Sequence, residues 1–79
     1  MTEPTTNNYE QKYKLFVVKL QEARKEASLT QIEVSRMLGR TQSYISKCER
    51  GELRVDIIQL LEFANLYSKS ITYFVENIE

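Results

Sequence analysis

The stretch Thr30–Gly51, TQIEVSRMLGRTQSYISKCERG, carries two helix starts and two helix stops in close succession. Thr30 followed three residues later by Glu33 has the form of a capping box, which satisfies orphan amides at a helix start from both sides. Gly39 is a natural stop, because a left-handed residue after a helix costs glycine no Cβ clash. Thr41 offers a second cap two residues further on. The helix it opens is predicted to run from about Gln42 to Arg50 and to end at Gly51.

Two capped helices joined by a glycine turn fit a DNA-binding helix-turn-helix, in which the second helix presents its first turn to base edges. Gln42, Ser43 and Tyr44 occupy that turn, and Lys47 lies one turn beyond Ser43. The same pattern also fits a plain helical hairpin with solvated polar faces.

The stretch resembles the Cro/repressor-like (XRE-type) helix-turn-helix family. The resemblance rests on Thr30, Gln31, Leu38, Gly39, Gln42, Ser43, Tyr44, Ile45, Ser46, Lys47, Glu49, Arg50 and Gly51, and it extends from about Phe16 to Phe74. A glutamine after the cap of each helix, with SYISK and then ERG, is far more specific than either helix alone. It implies an all-α, lambda-repressor-like domain, a compact five-helix bundle that binds double-stranded DNA, regulates transcription and pairs as a homodimer. It also implies that Gln31 bonds the DNA backbone, and that Arg24 and Glu49 form an ion pair joining the first and third helices. The chain departs from the family at Ser28, where a helix-ending glycine is usual, and at Ser35, where alanine is common. Arg40 replaces an apolar turn residue, and Cys48 replaces a larger hydrophobe.

Composition narrows the alternatives. The chain has 79 residues, which fits one small domain whose modest core would benefit from dimerisation. No histidine and a single cysteine argue against a metal centre or a Cys-His nucleophile. The only glycines are Gly39 and Gly51, so no phosphate-cradling loop is present. No enzyme, cofactor or small-molecule ligand is indicated. There is no apolar run long enough to span a membrane, and MTEPTTNNYE lacks the features of a signal peptide, so a cytoplasmic location is expected. Total charge is zero, but residues 1–54 carry 10 basic against 7 acidic side chains, and residues 55–79 carry 1 against 4. A basic front facing DNA and an acidic back would produce that asymmetry.

Met1–Asn8 reads as a flexible polar arm, leaving residues 9–79 as the folded domain. From Tyr9 to Ala27 the apolar residues Tyr13, Phe16, Val17, Leu20, Ala23 and Ala27 follow the stripe of an amphipathic helix. Val34, Met37 and Leu38 are the inward candidates of the second helix, and Ile45 and Cys48 of the third. Asp56 or a neighbour opens a helix through Tyr67. Ile57, Leu60, Leu61, Phe63, Ala64 and Leu66 give it a broad apolar surface. Ser70 can cap a last helix, ITYFVENIE. No segment alternates like a strand.

The remaining chemistry is hydrogen bonding and cationic. Glutamine can bond an adenine edge through N6 and N7, which suits Gln42. Ser43 and Tyr44 are placed to reach bases or phosphates, and Lys47 a guanine or a phosphate. Gln31, Arg40, Thr41, Ser46 and Arg50 complete the expected DNA-binding set, with Arg54 as a further phosphate candidate. A single recognition helix reads few base pairs, so two copies on a pseudo-palindrome are expected. Tyr67, Tyr73, Val75 and Ile78 are the expected dimer surface on a C-terminal dimerisation helix. The leading function is a dimeric repressor. An autoregulating antitoxin and an interaction module that has lost DNA binding are the alternatives.

Overall fold

The computed structural model describes residues 4–76 and 78, and side chains from Asn8 onward. Five helices follow in order: α1 (Pro4–Glu26), α2 (Gln31–Leu38), α3 (Gln42–Glu49), α4 (Ile57–Tyr67) and α5 (Ile71–Val75). No strand occurs among the described residues. The first helix begins at Pro4, not Tyr9, so residues 4–8 of the expected arm are helical and Met1–Glu3 lie outside the described residues. Proline is tolerated in a first turn because its missing N–H has no partner there anyway.

Four starts are capped by side chains. Thr30 and Asp56 each form a complete capping box, with Glu33 and Gln59 respectively, while Thr41 and Ser70 each accept one backbone N–H. Four helix ends close in the left-handed region, among them α3 at Gly51, φ 76°. Gly39 does so at φ 67°, and the same geometry falls on two serines, Ser28 at φ 60° and Ser68 at φ 57°. At each of the four ends the following N–H reaches back to a carbonyl five residues earlier: Leu29 to Arg24, Arg40 to Ser35, Glu52 to Lys47 and Lys69 to Ala64. This closure satisfies the last carbonyls of a helix. Ser28 therefore takes the conformation of the glycine it replaces.

The core is built from Phe16, Val17, Leu20 and Ala23 of α1, Val34 of α2, Ile45 and Cys48 of α3, Leu60, Phe63, Ala64 and Tyr67 of α4, and Phe74 of α5. Helix α1 contacts α3, α4 and α5, while α2 packs against α3. Two expectations about facing are corrected. Met37 is 59% exposed, because the inward rows of α2 are Gln31, Val34, Ser35 and Leu38, and Met37 falls outside them. In α4 the inward stripe is Leu60, Phe63, Ala64 and Tyr67, which leaves Ile57, Ile58 and Leu61 exposed.

Candidate nucleic-acid interface

Helix α3 is short, so its own hydrogen bonds do little to hold it, and packing must position it. Ile45 and Cys48 anchor it in the core, and burial pushes the Cys48 thiol pKa up. Tyr44 lies on the same inward side, one turn before Cys48. Its ring stacks on Phe63, centroids 6.4 Å apart and nearly parallel, and Phe63 stacks in turn on Tyr67. The Tyr44 hydroxyl is buried without a hydrogen-bond partner among the described residues, and burial pushes its pKa up to about 12. Tyr44 is therefore a strut between α3 and α4. The expectation that its hydroxyl reaches DNA is corrected.

The outward face of α3 carries Gln42, Ser43 and Lys47, all exposed, with Ser46 half-buried. Thr41 caps the helix, its Oγ1 accepting from Tyr44 N at 3.0 Å. Arg50 follows the last turn, with Nε 2.8 Å from Glu52 and Nη1 2.5 Å from Ser46 Oγ. Both partners of the Arg50–Glu52 pair are more than half exposed, so water screens it. Arg40 in the turn lies 4.8 Å over the Tyr44 ring and 3.5 Å from Glu62.

Beneath this face sits one buried acid. Glu49 receives Arg24 Nε at 2.6 Å and Nη2 at 3.0 Å. Arg24 Nη1 also donates to the Leu29 carbonyl at 2.9 Å, tying α1, the following turn and α3 together. The Glu49 carboxylate, through its hydrogen bond above all, holds the Arg24 guanidinium pKa up. Gln31 Nε2 donates to Glu49 Oε1 at 3.1 Å, and Gln42 Nε2 donates to Gln31 Oε1 at 2.9 Å. Sequence reasoning misses Gln21, whose Nε2 donates to the Glu49 carbonyl at 2.6 Å. Its spacing is a usable signal: Gln21 stands three residues before Arg24, on the same face of α1.

A second cluster ties down the loop after α3. Tyr13 Oη accepts from Val55 N at 2.9 Å, and Arg54 lies 4.3 Å over the Tyr13 ring while both Glu10 oxygens stand 3.1 Å from its Nη2. Arg54 is thus engaged with α1, on the flank of the candidate interface.

The expected dimer residues differ in burial. Tyr67 is buried in the core, its ring stacked on Phe63, so its assignment to an outer surface is corrected. It follows Phe63 by four residues and therefore shares its inward row. Tyr73 and Ile78 are half-buried against the core, and Val75 alone is exposed.

Among the described residues no group of acidic or cysteine side chains could hold a metal ion, and no helix is long and apolar enough to cross a membrane. No curated protein and no solved structure matches the chain. A helix-turn-helix family model, of the XRE type, matches residues 20–74, a span running from the last third of α1 into α5 that includes Arg24, Gln31, Gln42 and Glu49. The chain belongs to the XRE-type helix-turn-helix family of DNA-binding regulators.

Proposed function

We propose that the protein is a cytoplasmic transcriptional repressor that binds a pseudo-palindromic operator as a homodimer. The observation that carries this reading is the outward face of α3. Gln42, Ser43 and Lys47 stand exposed together on a helix whose other face is locked by Ile45, Cys48 and the Arg24–Glu49 pair. Gln42 and Ser43 read base edges, and Lys47 a guanine or a phosphate. Gln31, Thr41, Arg40 and Arg50 surround them and bond the phosphate backbone, fixing register without reading sequence.

Two recognition helices one DNA turn apart, about 34 Å, would engage both half-sites. The exposed apolar residues Ile57, Ile58 and Leu61 favour the start of α4 as the two-fold contact, in place of α5. That segment directly follows the loop that ends the recognition helix, whereas α5 offers only Val75 as an exposed apolar side chain.

Selection of bound duplexes from random DNA, followed by gel shift at two salt concentrations, tests the reading. A two-fold-related consensus whose preference persists as salt rises supports it. Binding that falls equally on all sequences, or no binding at low salt, overturns it.

A further inference from the structure

The hydrogen bonds behind Gln42 have a direction, and the direction begins at a charge. An ionised carboxylate only accepts, whereas a carboxamide has one accepting and one donating end. Glu49 Oε1 accepts one hydrogen bond from Arg24 Nη2 and another from Gln31 Nε2. With its amino end committed to Glu49, Gln31 turns its carbonyl toward Gln42 and accepts from Gln42 Nε2. Turning either amide over would set two acceptors against each other, at Glu49 or between the glutamines.

We propose that Glu49 is a positioning residue for base recognition, setting through Gln31 the donor–acceptor polarity of the Gln42 carboxamide and so the base edge that Gln42 prefers. The proposal rests on the reading of Gln42 as a base-contacting residue. One N–H of Gln42 is taken by Gln31, which leaves one N–H and one carbonyl to face the groove. An adenine edge complements that pair, since N7 accepts and N6 donates. A guanine edge offers two acceptors, N7 and O6, and sets one of them against the Gln42 carbonyl. A Gln42 amide held in one orientation before binding discriminates without having to be ordered at the moment of contact. The Glu49 carboxylate is well suited to the task because it is itself fixed, by the two bonds from Arg24 and by burial in the core.

Two variants separate this role from simple support of the fold. Gln31→Leu removes the middle of the relay at a half-exposed position, and Glu49→Gln keeps size while replacing a pure acceptor with an amide that can face either way. In the intact, ¹⁵N-labelled protein without DNA, relaxation of the Gln42 side-chain amide should show order near that of the α3 backbone, and both variants should lower it. On duplexes that differ only at the base Gln42 touches, both variants should reduce adenine-over-guanine discrimination by about tenfold. Discrimination at the bases read by Ser43 and Lys47 should change less than twofold. A bond from Gln31 to a phosphate weakens all duplexes alike when it is removed, so it cancels from these ratios. Unchanged Gln42 amide order in both folded variants overturns the relay. Discrimination that survives Gln42→Ala overturns Gln42 as a base reader, and the proposal with it, while the amide relaxation still reports whether the hydrogen-bond chain exists.

Discussion

Arg24 and Glu49 meet through two charge-assisted hydrogen bonds, at 2.6 and 3.0 Å, with the Glu49 side chain 4% exposed and the Arg24 side chain 14%. Removing one partner of such a pair strands the other charge in a poorly solvated place. Glu49→Ala should destabilise the protein by about 3–5 kcal/mol, read as a fall in the urea midpoint. A change under about 0.5 kcal/mol would mark the pair as no more than a screened surface contact.

Gln42 and Arg50 should fail differently. Gln42→Ala should cost about 1–3 kcal/mol at the preferred operator and relax preference at one position. Arg50→Ala should weaken binding to every sequence alike and lower the slope of log affinity against log salt by about one. Titrations of both variants at several salt concentrations check this, and loss of sequence preference in both would contradict the division of roles.

Ser28 and Gly39 close helices with the same backbone, φ 60° and 67°. A non-glycine residue in the left-handed region costs roughly 1–2 kcal/mol, partly offset by the smaller entropy it loses on folding. Ser28→Gly should therefore stabilise by about 0.5–1 kcal/mol. Gly39→Ala should destabilise by about 1 kcal/mol through the backbone alone, since an added Cβ meets nothing within 4 Å. Chemical denaturation of the two variants gives opposite signs if this is correct.

Burial raises the pKa of Tyr44 to about 12 and that of Tyr67 further, from an ordinary 10.0. Between those values the unfolded chain loses phenolic protons that the folded chain retains. Stability is then fully present below pH 10 and falls as pH rises toward 12. Tyr44→Phe removes a hydroxyl that has no partner among the described residues. It should leave stability at pH 7 unchanged or slightly improved, and should flatten the loss at high pH. Urea midpoints at pH 8, 10 and 11.5 test the slope, and identical slopes for both proteins would refute the assignment.

Ile58 is 62% exposed beside Ile57 and Leu61. Ile58→Lys should convert the proposed dimer to a monomer at micromolar concentration without loss of helicity, and Val75→Lys should leave it paired. Analytical sedimentation distinguishes the two, and the reverse pattern would move the interface to α5.

Local chemistry is legible in the residues. Capping boxes, glycine stops and apolar rows depend on side chains a few positions apart, so Thr30, Gly39, Thr41, Asp56 and Ser70 mark helix ends directly. The start of α1 is not legible in that way, because the polar residues 4–8 carry no apolar row to betray a helix. Which polar residues face water is decided by packing. Tyr44 reads like its neighbours Gln42 and Ser43, yet the phenyl surface of Phe63 in α4 draws its ring inward. Tyr67 follows the same stack into the core, leaving Ile57, Ile58 and Leu61 outside. Sequence similarity joins Arg24 to Glu49 as a pair, but only the tertiary arrangement brings Gln21, Gln31 and Gln42 around the same acid. Spacing within a helix determines a face. Which face is buried, and what a buried charge orients, depends on helices distant in the chain, because the free energy of removing apolar surface from water belongs to the contact and not to either segment.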